Sequence, residues 1–249
     1  MLNERNVENS IKGVSELLQN SKVPWSSIEI LLLSIPQIHR KNWGPIHPKS
    51  TETEMTTNPM KIAVLDHRNE DMLAFFVKFG VYIDTMWQGV CRTFGGQRTE
   101  IRALTGLSCA IAQNNFKLVT KFVHFGADIN MKIPCYSYFN GNWHEYFTTP
   151  LLTAIELSTF EMVDTLLNFG AKSELRVQTA AGGQLDAETL AEQRQDLSII
   201  QTLQNQNKKL LSLKELSRFS IRSHLKNPCP HLLQNVCLPK TLINYLCFN

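Results

Sequence analysis

Three glycines, Gly80, Gly126 and Gly170, each close a near-copy of the same segment, and this repetition limits the fold more than any other feature of the chain. The segment Asn-Asn-Phe-Lys-Leu-Val-Thr-Lys-Phe-Val-His-Phe-Gly-Ala-Asp-Ile-Asn ends at Asn130. Ser-Thr-Phe-Glu-Met-Val-Asp-Thr-Leu-Leu-Asn-Phe-Gly-Ala ends at Ala171 and matches it position by position. A third copy starts at Asn69. The apolar pairs Leu118 with Val119, Phe122 with Val123, Met162 with Val163 and Leu166 with Leu167 recur at helical spacing and predict one buried face per copy. A short stretch with small residues precedes each copy: Pro59 to Ala63, Thr105 to Ala110, and Thr149 to Ala154. Thr or Pro there supplies a cap or a preset backbone angle. Ala63, Ala110 and Ala154 let neighbouring helices approach closely, and each glycine takes the left-handed turn that stops the second helix. One such unit cannot bury its own face, so several must stack.

Turn, short helix, turn, longer helix and glycine is the ankyrin pattern, in which Thr-Pro-Leu opens the first helix as it does at Thr149, Pro150 and Leu151. The spacing departs from it. Gly80 to Gly126 is 46 positions and Gly126 to Gly170 is 44, against a usual period of about 33. The extra residues follow the glycines. The first insert, Trp87 to Ile101, alternates around Gly95-Gly96, and the second, Ile133 to Phe147, surrounds Asn140-Gly141. Both predict long β-hairpin fingers. Within them Phe94, Tyr136, Tyr138, Trp143 and Tyr146 are candidate substrate contacts, although cross-strand aromatic pairs also stabilise a hairpin by themselves. A fourth, eroded copy runs from Glu188 to Gln204, followed by a polar Asn205 to Lys209 suited to a solvent-facing cap. Upstream, Ser26 to Ile35 reads as a helix stopped at Pro36 and, with Ile11 to Leu18, forms an N-terminal cap or a degenerate repeat. The expected architecture is an all-α helical solenoid with β-hairpin insertions, divided into a helical cap at 1–57, repeats at 58–209 and a separate C-terminal unit at 210–249.

In that last unit Leu213, Leu216, Ser217, Ser220, Ile221 and His224 fall on one stripe of a helix. A Pro-bounded loop (Asn227, Pro228, Cys229, Pro230) follows, then more apolar helix, a Leu238-Pro239 stop and a final apolar turn. This arrangement resembles a SOCS box, the three-helix tail that docks ubiquitin-ligase adaptors onto elongin B/C and a cullin. The resemblance assigns elongin contact to Leu213, Leu216, Ser217 and Ile221, with Ser217 standing where the family commonly has Cys. It assigns cullin contact to Leu238, Pro239, Leu242, Tyr245 and Leu246, although Val236-Cys237-Leu238-Pro239 lacks the first proline of the family's Leu-Pro-Leu-Pro. The competing view of the first helix is an ordinary cap of the helical stack, with Leu213 and Ile221 merely core.

The remaining composition excludes more than it adds. A net charge of +3 with scattered Lys and Arg gives no basic stripe for nucleic acid. The most apolar run, Ile28 to Ile35, is too short to span a bilayer, and no basic-then-apolar leader opens the chain. Six dispersed cysteines without a Cys-x-x-Cys pair predict thiols and a cytoplasmic protein, with the nucleus also open to it. His224, Cys229, His231, Cys237 and Cys247 carry zinc-binding chemistry, but their spacing fits no common finger, so no metal and no cofactor are expected. No nucleophile elbow, phosphate loop or His-Glu-x-x-His occurs, and no catalytic residue is assigned.

Together the repeats and the tail resemble the ankyrin repeat and SOCS box family. That resemblance implies a non-catalytic, substrate-recognition subunit of a cullin-RING ubiquitin ligase. Its partners would be elongin C and elongin B, a cullin of the cullin-five class with its RING subunit, and a protein substrate. The alternative is an ankyrin-type interaction scaffold with no role in ubiquitination.

Overall fold

The computed structural model describes residues 64, 73–74, 76–77, 83–94, 98–157, 159–208, 212–224 and 238–246. The expected N-terminal unit at 1–57, the turn at Gly80, the loop at 227–230 and the middle helix of the C-terminal unit lie outside these residues. In chain order the elements are β1 (Met86–Phe94), β2 (Arg98–Thr105), α1 (Gly106–Ala112), α2 (Phe116–His124), β3 (Ile133–Phe139), β4 (Asn142–Thr148), α3 (Pro150–Glu156) and α4 (Phe160–Asn168). After these come β5 (Val177–Gln178), β6 (Gln184–Leu185), α5 (Ala187–Gln193), α6 (Leu197–Lys208), α7 (Leu213–His224) and α8 (Lys240–Leu246).

Each short first helix starts where its sequence supplies an oxygen for the open N–H groups. Thr105 accepts from the Ser108 amide at 3.1 Å while the Ser108 hydroxyl accepts from the Thr105 amide at 2.8 Å, a reciprocal capping box. Thr149 accepts from the Leu152 amide, with Pro150 at the first helical position. In the eroded copy the cap is Asp186, which accepts from the Thr189 amide. That amide is the main reason the Asp186 carboxyl lies below the usual carboxylate range, with Thr189 Oγ1 and Arg176 assisting.

The second helices of the two clear copies end alike. Gly126 (φ 93°) donates to Val123 O and Ala127 to Phe122 O; Gly170 (φ 97°) donates to Leu167 O and Ala171 to Leu166 O. Both are Schellman turns, which favour a residue without Cβ at the left-handed position. In the fourth copy α6 runs on to Lys208, so Asn205 to Lys208 of the polar stretch form its last turn.

These pairs stack. α1 packs on α2, α3 on α4 and α5 on α6, while α1 contacts α3, α3 contacts α5, and α4 contacts α6. Ala110, Ala154 and Ala191 hold equivalent places in the inner helices and all are buried. So are Leu118, Val119, Phe122, Val123, Met162, Val163, Leu166, Leu167, Ile199 and Leu203, in one continuous core. Each such side chain contributes roughly 1.5–3 kcal/mol by leaving water, and this drives the stack.

Both inserts form the β-hairpins expected of them, but the hairpins are joined. They do not project as separate fingers. β1 pairs with β2, β2 with β3 and β3 with β4, giving one antiparallel sheet in the order β1-β2-β3-β4. Asn140 (φ 50°) and Gly141 (φ 78°) form the tight turn between β3 and β4, as their dipeptide predicts. The link between inserts is the pairing of Thr99–Arg102 with Cys135–Tyr138. Ile133, Cys135 and Ser137 of β3 are all buried.

Candidate docking surfaces

Helix α7 begins at Ser212, whose hydroxyl accepts from the Glu215 amide at 3.2 Å while the Glu215 carboxylate accepts from the Ser212 amide at 2.8 Å. This capping box fixes the helix start one residue before Leu213 and so fixes which face Leu213 joins. Leu213 is 81% exposed, Leu216 50% and Ile221 39%, and Ser217 and Ser220 between them are exposed too. The Ser217 hydroxyl donates to Leu213 O at 2.7 Å, so covering this small residue leaves no unmet donor. The stripe is an apolar ridge with a shallow, satisfied step at Ser217.

The opposite face of α7 is the attached one. Phe219 lies against Gly170, and a Cβ added there would come within 2.7 Å of its ring. Arg218 lies over the Tyr245 ring with its guanidinium carbon 3.9 Å from the centroid, and Lys214 Nζ is 4.8 Å away. The Tyr245 hydroxyl donates to Lys214 O. Ile243 and Leu246 form a second small core with Leu238, Leu242 and Tyr245 packed around it.

Among the residues the resemblance assigns to a cullin, Pro239 is exposed and Leu238, Leu242 and Tyr245 are half-buried, whereas Leu246 is only 1% exposed. Tyr245 therefore holds α8 to α7. Val236 and Cys237 lie outside the described residues.

The aromatic residues of the second insert divide between two sides of the sheet. Tyr138 stands opposite Trp143 with ring centroids 5.2 Å apart, and Tyr136 stands opposite Glu145 with its hydroxyl donating to Glu145 at 3.2 Å. Desolvation, then the Glu145 charge, raises the Tyr136 pKa. Trp143, at 49% exposed, is the most prominent of this group. Tyr146 alternates to the other side, where it lines a pocket of about 190 Å³ with Arg102, Leu152, Glu156 and Leu185. An Arg102–Glu156 ion pair of 2.5 Å crosses that pocket. Phe94 pairs with Arg98 near the β1–β2 turn, on a strand that pairs with neither β3 nor β4.

Sequence reasoning missed two features. One is Phe219, which falls off the Leu213 stripe and proves to be the anchor. The other is a staple between successive turns: both carboxylate oxygens of Asp84 accept from the Asp128 amide, at 3.0 and 3.2 Å. One repeat later Asn130 accepts from the Lys172 amide at 2.8 Å and donates to Gly170 O at 3.2 Å. Asp84 and Asn130 each lie four residues beyond a repeat glycine, a spacing that could have revealed the device. Burial pushes the Asp84 carboxyl up to about 7, against the Asp128 amide bond that lowers it and with the Asp128 charge adding to the rise. Among the described residues no group of three or more His, Cys, Asp or Glu is placed to hold a metal, and no helix is long and apolar enough to cross a membrane.

Residues 209–247 match the SOCS box family. The chain is also 29% identical over 143 residues to human ankyrin repeat and SOCS box protein 5, a match covering 57% of this chain and 38% of that protein. The chain thus spans well under half the length of the curated relative it matches. Both likenesses bear out the resemblance drawn from the sequence.

Proposed function

Starting from a chain that carries a SOCS box and resembles the ankyrin repeat and SOCS box proteins, we propose that it is a non-catalytic substrate adaptor of a cullin-RING ubiquitin ligase. The observation that carries this reading is the exposed ridge Leu213, Leu216, Ser217, Ile221 inside the matched segment. A helix held down by Phe219 on one face and bare on the other has the shape of a docking element rather than a cap. The ridge receives elongin C with elongin B, Leu213 filling the partner's pocket. The Pro239 end of α8 faces a cullin of the cullin-five class with its RING subunit. We also read the stacked helix pairs as ankyrin repeats, on the strength of their Thr-Pro cap, Schellman glycines and alanine-lined inner helices. They hold the substrate, with the Tyr138–Trp143 pair as its foremost contact, in the cytoplasm and the nucleus.

The adaptor contributes proximity. It raises the effective concentration of a substrate lysine at the charged E2 carried by the RING subunit. The test is co-expression with elongin B/C of the full chain and of the chain ending at Lys209. A stoichiometric complex with the first and none with the second is expected; absence of elongin from both leaves a repeat scaffold without a ligase role.

A further inference from the structure

The β3–β4 hairpin has one covered side and one open side. Ile133, Cys135 and Ser137 are buried, so Tyr136 and Tyr138, which alternate with them, lie on the opposite side of the sheet. The register sets Glu145 and Trp143 of β4 directly across from those two tyrosines. Three rings and one carboxylate thus make a square of cross-strand neighbours. Tyr138 is 38% exposed, Trp143 more so, and their rings meet at 52° rather than face to face. Glu145 is exposed as well. Its carboxylate is oriented by the Tyr136 hydroxyl, which donates to Oε1; among the described residues Oε2 accepts no hydrogen bond and the charge has no ion-pair partner. The β2 positions across from Tyr138 and Tyr136 are Thr99 and Ile101, which bring no positive charge. Arg102 stands opposite Cys135, on the covered side, and is paired with Glu156.

We propose that this face is a clamp for a cationic side chain: an arginine or lysine of the captured protein lies against the Tyr138 and Trp143 rings with its charged head on Glu145. The occupant follows from the charge pattern. Each ring carries negative potential on its face, and Glu145 adds a full negative charge one cross-strand pair away, so a cation gains from both at once. An anion is repelled by both. An apolar side chain could cover the rings, but it would strip water from the carboxylate and return no hydrogen bond. Of the two cations arginine fits better, because its planar guanidinium stacks on a ring while donating to the unused Oε2, and it gives up water more readily than an ammonium. Tyr136 is the positioning residue, fixing the carboxylate beside the rings. The inference rests on the adaptor reading only in taking the cation to belong to the captured substrate.

The probes are three nine-residue glycine-serine peptides that differ only at the central residue, which is arginine, lysine or citrulline. Citrulline keeps the shape of arginine without its charge. Each peptide is titrated into the full chain, and nuclear magnetic resonance follows the Trp143 indole N–H and the Glu145 backbone amide. Saturable shifts at both reporters are expected with the arginine peptide, with affinity a few-fold lower for lysine and about tenfold or more lower for citrulline. Glu145→Gln leaves an acceptor for the Tyr136 hydroxyl but removes the charge; it should weaken the arginine peptide about fivefold or more and bring it close to citrulline. Trp143→Leu keeps an apolar cover on the hairpin but removes the ring, and a similar loss is expected at the Glu145 amide. A citrulline peptide that binds as well as the arginine one, unchanged affinity in Glu145→Gln, or no shift at either reporter overturns the proposal. Elongin B/C binding, measured alongside, stays intact in both variants. Peptides that fail while elongin binds sink the clamp alone; elongin that fails while the peptides bind sinks the adaptor reading and leaves the clamp.

Discussion

Gly106 and Phe122 stand where the next repeat has Pro150 and Leu166, and the two exchanges compensate. The Phe122 ring occupies the space that any Cβ on Gly106 would need, so the larger core residue in one helix requires the smallest cap-adjacent residue in the other. Gly106→Pro should therefore cost roughly 1–3 kcal/mol by overpacking. The same change should cost much less in a Phe122→Leu background, where the ring is gone; equal losses of melting temperature in both backgrounds would contradict the pairing. Asp84 yields a pH prediction. Its carboxyl is near 3.8 when unfolded and about 7 when folded, so the native state binds more protons between those values. Stability contributed by the protonated form is thus fully present below about pH 4 and is lost as pH rises through 7. Asp84→Asn, which copies Asn130, keeps the acceptor and removes the ionisation. It should raise the melting temperature at pH 8 and flatten the fall between pH 4 and 7, and a variant whose pH profile overlays the unmodified one would refute this.

At the scale of elements, the joint between α4 and α7 is a glycine turn serving twice. Gly170 takes the left-handed angle that ends α4 and leaves the hollow in which Phe219 rests. Gly170→Ala should destabilise by about 1–2 kcal/mol through the backbone angle alone, plus a further loss from displacing Phe219. In a Phe219→Ala background only the first part should remain, and a double-mutant cycle in urea reads the difference; a coupling of zero means that Phe219 does not seat there. These elements also show what was legible in the chain. Gly126, Gly170 and Asn140-Gly141 each demand a positive φ, and the apolar pairs after Asn115 and Thr159 repeat a helical face, so turns and core could be read locally. The pairing of Thr99–Arg102 with Cys135–Tyr138 is a long-range choice that no local pattern encodes, so two fingers were expected where one sheet forms. Phe219 escaped because periodicity finds the stripe of Leu213 but cannot say which side of an amphipathic helix meets the body. Nor does periodicity tell that Tyr245 and Leu246, which the resemblance assigns to a partner, also take part in a small core of α8.

For the molecule as a whole, one end is a stack of helix pairs carrying a sheet, and the other is an apolar ridge seated on that stack by Phe219, with α8 tied to the ridge helix by Tyr245. Such a joint suits a subunit that must present a captured protein to an enzyme some distance away, because effective concentration falls steeply when the connection is loose. Titration of purified elongin B/C into the full chain and into Leu213→Ala, followed by calorimetry, tests the central claim most directly. Saturable one-to-one binding that weakens by about 2 kcal/mol, or roughly thirtyfold, on removing the Leu213 side chain is the predicted result. Identical affinities for the two proteins, or no heat of binding with either, would contradict the assignment of this ridge as the docking surface.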